Sequence, residues 1–209
     1  MLKTLKNKRI FVYSLTFGLI FSLLASICNF DAHCSSIREN VVRLHILANS
    51  NTVSDQNLKL KVRDEILKVS DNVFDNADNF NEAKHSAEEN IEVFRQTAER
   101  VINENGYNYS VNVYIGKSFF TTRHYENFTL PAGVYDAVKI EIGEAEGKNW
   151  WCVMFPPVCI PSATGNEISD TLSESDTEIV ENSSKYRCRF KVIEIYEKVK
   201  LFFNDSINF

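Results

Sequence analysis

Two cysteines and two adjacent tryptophans form the densest group of chemically distinctive side chains in this 209-residue sequence. They lie between Gly147 and Cys159, where Cys152 is a candidate thiol nucleophile. A cysteine nucleophile needs a base or a helix N-terminus to stabilise its thiolate, and the sequence places neither beside Cys152. A short loop closes easily between Cys152 and Cys159, so we predict a disulfide there. The alternative is that both are buried free thiols.

The adjacent tryptophans predict an interaction surface. If this stretch is a strand, Trp150 and Trp151 point to opposite faces, because neighbouring strand residues alternate. One ring is then expected to anchor the segment in the core, and the other to contact a partner. Pro156 and Pro157 are expected to end the strand and to fix an extended segment after it.

The remaining candidates for catalysis are weak. The sequence contains no His-Glu-x-x-His, nucleophile-elbow or P-loop motif and no metal-spaced set of histidines and cysteines. His45 is a candidate base, but a lone half-exposed histidine is more often a hydrogen-bonded surface residue. Glu144 and Glu146 are candidate sugar ligands, although carboxylates in a glycine-rich turn are usually solvated. We therefore expect no enzyme activity, no metal and no cofactor.

The N-terminus predicts export. Four basic residues within the first nine are followed by an uncharged run, Ile10–Cys28. This pattern is typical of a secretory signal peptide or of a retained membrane anchor, and both alternatives stay open. The sequence is accordingly divided into 1–28 and a single exported domain, 29–209. Export permits disulfides, and a Cys34–Cys188 pair is a second, weaker option.

The charge of the exported part excludes some partners. It holds 19 basic and 28 acidic side chains, a formal net charge of −9. Such a balance is unsuited to nucleic acid or to an anionic membrane surface.

Hydrophobic periodicity predicts an α+β domain: a mostly antiparallel sheet with two main helices packed on one face, plus a C-terminal strand and helix. We expect residues 29–37 to be a polar link and 162–184 to be a disordered acidic insertion. The strands are expected at 41–48, 109–115, 119–125 (after a turn at Gly116), 134–142 and 186–192; the helices at 55–70 (capped by Ser54), from 82 to about 103 and at 195–203; and a loop at 71–81.

On the first strand, Val42, Leu44 and Ile46 are expected to face the core, and Arg43 and His45 to face outward. A cationic pair on the open side of an apolar strand is a candidate docking feature.

Three stretches resemble the stage II sporulation protein R family. They are Val42–Ser50 with Leu58–Asp64, Leu130–Tyr135, and Ile142–Cys159, in that order. The resemblance covers about residues 38–160. The acidic segment at 162–184 departs from it, because it is longer than the family pattern.

The resemblance implies a signalling protein of endospore-forming bacteria that is secreted from the forespore into the space between forespore and mother cell. It implies a partner there, a membrane-embedded aspartic protease of the mother cell, which cleaves the precursor of the early mother-cell sigma factor. It implies neither catalysis nor a small-molecule substrate.

Within the matched motifs, the exposed residues are expected to contact the protease: Arg43, His45, Lys148, Asn149, Trp150 and Trp151. Other motif residues are expected to shape the loops that present them: Leu130, Pro131, Gly133, Gly147, Pro156 and Pro157. The alternative function is a cell-wall protein that binds or hydrolyses peptidoglycan, with Glu144, Glu146 and the tryptophan pair as its saccharide platform.

Overall fold

A computed structural model describes residues 2–125, 127–158, 168 and 171–207, with side chains from residue 9 to residue 203 of these ranges. The helices are α1 (Leu2–Glu39), α2 (Val53–Phe74), α3 (Phe80–Glu89), α4 (Ile91–Glu104), α5 (Glu174–Glu181) and α6 (Ser183–Ile207). The strands are β1 (Val42–Leu47), β2 (Val111–Phe120), β3 (Arg123–His124), β4 (Thr129–Leu130), β5 (Gly133–Ile142) and β6 (Asn149–Phe155).

The main sheet has the strand order β2-β5-β1-β6. β5 pairs antiparallel with β2 and parallel with β1, and β1 pairs antiparallel with β6. The predicted α+β class is therefore confirmed. β1 is an inner strand, and both of its faces are covered along most of its length because helices pack on both sides of the sheet. Only one buried face was predicted.

The first face of the sheet packs against α2, α3 and α4. The alternate residues Leu44 and Ile46 of β1 are buried there, as predicted. α2 is capped by Thr52, whose side chain accepts a hydrogen bond from the Asp55 amide, and not by Ser54. The predicted second helix is two helices that meet at Asn90, and the predicted loop at 71–81 is shortened because α2 continues to Phe74.

The opposite face is covered by the end of α1 together with α5 and α6, a second helical layer that was not predicted. The expected polar link at 29–37 is wrong. Phe30, Cys34 and Ile37 are at most 2% exposed, and their spacing of four and three residues places them on one side of α1. Arg38 pairs with Glu197 of α6, and His33 with Asp176 of α5.

The prediction of a C-terminal strand at 186–192 is also wrong, because residues 183–207 form one helix. Phe190, Ile193 and Glu197 recur at helical spacing and are buried against the second face. Part of the expected disordered insertion is ordered as well: α5 is capped by Ser173 and buries Ile179 and Val180. The rest of the insertion, 162–167 and 169–170, lies outside the described residues.

Gly116 does not turn the chain. It is an interior residue of β2, paired with Ala137 of β5, so the two strands expected on either side of it are one. Gly106, by contrast, has a φ of 80°, the left-handed conformation expected after a helix.

The N-terminal part of α1 projects from the domain as an exposed apolar helix. Residues 9–39 are long and apolar enough to cross a membrane, and the most apolar window is not buried in the fold. A signal sequence has the same properties, so both N-terminal alternatives remain.

Among the described cysteines, Cys28, Cys34 and Cys188 are free thiols, so the optional Cys34–Cys188 pair does not form. Cys159 lies outside the described residues, and its disulfide with Cys152 stays a prediction.

Candidate partner-binding surface

Strand β6 places the two tryptophans at one edge of the sheet and on opposite faces. Trp150 is opposite Ile46 of β1, and Trp151 is opposite His45. Trp150 packs against the core under α2–α4, and Trp151 against the core on the other side. Both rings are half-buried. The alternation that adjacent strand residues require is therefore present, and each ring meets a different environment.

Trp150 is held by α2. The Arg63 guanidinium lies 4.3 Å from the centre of its ring, a cation–π contact. Arg63 also forms an ion pair with the neighbouring Asp64. The positive charge above Trp150 is thus balanced within the same helix, which suits an anchoring role.

The hairpin β3–β4 contacts Trp151 through Arg123. The Arg123 guanidinium lies 3.7 Å from the centre of the Trp151 ring. His45 is also adjacent, with its ring centre 6.0 Å from that of Trp151, and its Nε2 is 2.8 Å from Asn149 Oδ1. Burial lowers the pKa of His45, which favours the neutral imidazole. We refer to His45, Arg123, Asn149 and Trp151 as the Trp151 surface.

Arg43 lies in the core beneath the Trp151 surface and contacts the strand that carries Trp151. It is fully buried, although it was predicted to be exposed, because the second helical layer and the β3–β4 hairpin cover its face of the sheet. Its Nε donates to the Cys152 carbonyl at 2.9 Å, and its Nη2 donates to the Tyr125 hydroxyl at 2.6 Å. The guanidinium also lies 4.3 Å from the ring centre of Phe120 and 5.0 Å from that of Tyr135.

The two cations on this side, fully buried Arg43 and half-buried Arg123, lack acidic partners in the described part of the chain. Within the described ranges neither Arg43 nor Arg123 pairs with a carboxylate, and Arg43 Nη1 and Arg123 Nε are buried without a hydrogen-bond acceptor. The indole Nε1 atoms of both tryptophans also lack an acceptor there. Burial lowers the pKa of Arg123. A buried charge without a counter-ion is costly, and a buried donor without an acceptor adds to that cost. The Trp151 surface is therefore suited to receive a carboxylate from outside.

Lys148 and Gly147 act through their backbones. The Lys148 amide donates to Asn51 Oδ1, and its carbonyl accepts from Lys59 Nζ at 2.7 Å. A Cβ added at Gly147 would lie 2.3 Å from the Ser50 carbonyl oxygen. Gly147 therefore lets the loop before β6 pack directly on the chain after β1, while the Lys148 side chain stays exposed.

The second turn motif, Leu130–Gly133, is buried. Tyr135 donates its hydroxyl proton to the Pro131 carbonyl, and Arg38 donates to the Ala132 carbonyl. Gly133 lies against Arg38, where a Cβ would come within 2.5 Å of that side chain. Leu130 is fully buried. Pro156 is buried and follows β6 directly, so the strand ends where the two prolines predicted.

No catalytic constellation is found in the described part of the chain. Ser36, His33 and Asp176 are neighbours, but Ser36 donates to Asp176 at 2.8 Å and not to the imidazole, so the serine is not activated as it is in a triad. The described residues contain no group of three or more His, Cys, Asp or Glu side chains that could hold a metal. Glu144 and Glu146 are exposed.

Sequence reasoning missed several residues of this site, namely Arg63, Phe120, Arg123 and Tyr125. Arg123 and Tyr125 fall within the strand expected at 119–125, but that pattern does not relate them to Trp151 or Arg43. Arg63 lies within the matched stretch Leu58–Asp64, but its position there does not relate it to Trp150. Only the tertiary structure brings these side chains onto the tryptophans.

Comparisons with known proteins agree with this assignment of motifs. Residues 38–165 match the family model described as "Stage II sporulation protein R (spore_II_R)". The chain is similar to the stage II sporulation protein R of Bacillus subtilis (strain 168), with 34% identity over 131 residues. That alignment covers 63% of this chain and 58% of the relative. No solved structure gives a significant match.

Proposed function

Because the chain belongs to the stage II sporulation protein R family, we propose that it is a secreted, non-enzymatic signal of endospore formation. In this proposal it crosses the forespore membrane and activates a membrane-embedded aspartic protease of the mother cell. The protease then cleaves the precursor of the early mother-cell sigma factor. The apolar part of α1 supports export, either as a cleaved signal or as an anchor.

Activation by binding requires a difference in affinity. The protein must bind the active form of the protease more tightly than its idle form, because only that difference shifts the equilibrium between the two. The observation that carries the proposal is the charge of Arg123, which has no carboxylate partner among the described residues, beside the half-buried Trp151 ring. An acidic side chain of the protease that reaches Arg123 gains a charge-assisted hydrogen bond, and the Trp151 ring supplies apolar contact.

The test is a reconstitution in which the secreted protein, the protease and the sigma-factor precursor are co-expressed and precursor cleavage is measured. Trp151→Ala and Arg123→Gln should each reduce cleavage by about tenfold or more, the effect expected for a central interface residue. Trp150→Ala is the matched control, since it removes the same side chain from the other face. It should retain cleavage at equal secreted amounts.

Normal cleavage with stably secreted Trp151→Ala protein would contradict the assignment of the Trp151 surface. Solubilisation of purified peptidoglycan by the isolated wild-type protein would instead favour the cell-wall alternative. N-terminal sequencing of the exported form distinguishes a cleaved signal from a retained anchor.

A further inference from the structure

Helix α6 carries a row of exposed apolar side chains on the side that faces away from its own domain. Its members are between 42% and 59% exposed and recur at helical spacing: Val192, Ile195, Tyr196, Val199 and Phe203. We refer to them as the α6 stripe. The opposite side of the helix is seated on the domain through Phe190, Ile193 and Glu197. α6 is therefore apolar on two sides, and the described fold covers only one.

We propose that the α6 stripe binds the same stripe of a second copy of this chain, as a parallel two-helix coiled coil. Val192 and Val199 are seven residues apart and take the a positions of a heptad. Ile195 and Cys188, also seven apart, take the d positions. β-Branched residues at the a positions favour two strands over three or four.

The residues beside the stripe support a parallel arrangement. Lys191 and Lys198 occupy the g positions, and Tyr196 and Phe203 occupy e positions. In a parallel pair each g residue meets an e residue of the other helix, so the lysine stems lie over aromatic rings. An antiparallel pair would bring the lysines of the two g rows together, which is unfavourable.

The orientation of α1 supports the same conclusion. Phe30 contacts Tyr186 and Phe190, whereas Arg38, further along α1, pairs with Glu197. The two helices therefore run in the same direction. Two copies held in one bilayer by their α1 segments would present their α6 helices side by side and parallel.

The same geometry argues against that bilayer as the occupant of the stripe. The exposed apolar part of α1 precedes Phe30, while the α6 stripe lies beyond Phe190 in the opposite direction. The stripe extends for about 17 Å at 1.5 Å per residue. It therefore leads away from the membrane that α1 enters.

Cys188 provides a direct test. Its thiol is free and exposed, and it lies on the same side of α6 as the stripe. The full chain, with Cys28→Ser to remove the other exposed free thiol, is placed in phosphatidylcholine vesicles and treated with oxidised glutathione. Two Cys188 thiols then give up two protons and two electrons to form one disulfide, and the oxidant becomes two molecules of reduced glutathione. Non-reducing gel electrophoresis measures the covalent dimer.

The matched control moves the thiol to the adjacent position with Cys188→Ser and Arg187→Cys. Residue 187 is exposed but about 100° further round the helix. We expect Cys188 to cross-link about tenfold faster than the control. Val199→Glu, in the Cys188 background, should slow cross-linking about tenfold without changing the melting temperature, because Val199 does not touch the core of its own domain.

Equal rates at positions 187 and 188 would overturn the proposal, since they indicate random collision. An unchanged rate with Val199→Glu would overturn it as well. Protection of Cys188 from alkylation that depends on the vesicle lipid and not on protein density would show that a membrane, and not a second copy, covers the stripe. None of these outcomes depends on the protease, so they are separable from the proposed function.

Discussion

The two faces of the sheet differ in how they treat buried charge. On the side of α2–α4, the Asp55 carboxylate is 5% exposed and accepts hydrogen bonds from Ser50, Asn49 and Tyr109. On the opposite side, Arg43 is fully buried, and within the described residues its charge meets aromatic rings and a carbonyl but no carboxylate. In the described part of the chain, Lys59 on the first side is also buried without a carboxylate, but its ammonium donates to Gln56 Oε1 and to the Lys148 carbonyl, whereas Arg43 Nη1 has no acceptor. Within the described residues the second face therefore keeps a positive charge with an unsatisfied donor.

The tryptophans repeat this difference at the edge of the sheet. Arg63, above Trp150, has Asp64 as its counter-ion. Arg123, above Trp151, has a buried Nε without an acceptor. This difference favours Trp150 as the anchor and supports the proposed contact role of Trp151, a choice that adjacency alone left open.

The largest effect is expected at Gly147, whose loop positions both tryptophans. In Gly147→Ala the new Cβ would meet backbone oxygens of Ser50 and Ala48, which cannot move independently. We expect a loss of about 4 kcal/mol in the free energy of unfolding, measured by urea denaturation. Gly116→Ala is the control, because its nearest neighbour is the Tyr114 ring at 3.5 Å. A similar loss in both variants would show that the close approach at Gly147 is not the cause.

The next effect separates the charge of Arg43 from its volume. Arg43→Ala leaves a cavity and should cost about 3 kcal/mol of unfolding free energy. Arg43→Met fills most of the space without a charge and should stay within about 1 kcal/mol of the wild type. The Met variant should nevertheless fail to support precursor cleavage. If it is as unstable as the Ala variant, the buried charge stabilises the fold, and the proposed contrast between the two faces is wrong.

The smallest effect concerns Asp55, whose contribution to stability should depend on pH. The hydrogen bond from Ser50 is the largest cause that lowers the pKa of Asp55 below its usual value. Its contribution to stability is therefore present above the unfolded pKa of about 3.9 and is lost as pH falls toward the folded pKa. Asp55→Asn should cost about 2 kcal/mol at pH 7.

The difference between the wild type and Asp55→Asn should shrink in denaturation curves recorded below about pH 4. A difference that stays constant down to the acid transition would show that the carboxylate charge of Asp55 contributes nothing.

Local sequence patterns were sufficient to predict much of the fold. The alternation of β1 and β5, the apolar stripe of α2 and the left-handed Gly106 were all predicted, since each depends on neighbours a few residues away. The C-terminal strand failed for a physical reason. Tyr186, Phe190 and Val192 fit a period of two, but Tyr186, Phe190 and Ile193 also fit a helix, and a short segment cannot distinguish them. The unoccupied second face of the sheet decided in favour of the helix.

The sequence by itself determined the tryptophans on opposite faces, the loop motifs at Gly133 and Gly147, and the N-terminal apolar segment. These follow from backbone alternation, from close packing that only glycine permits, and from composition. Only the tertiary structure decided that Arg43 is buried, that Arg123 covers Trp151, and that α6 turns an apolar stripe outward. Each of these depends on which distant segments cover the second face, and side-chain burial is a property of that packing and not of the local sequence.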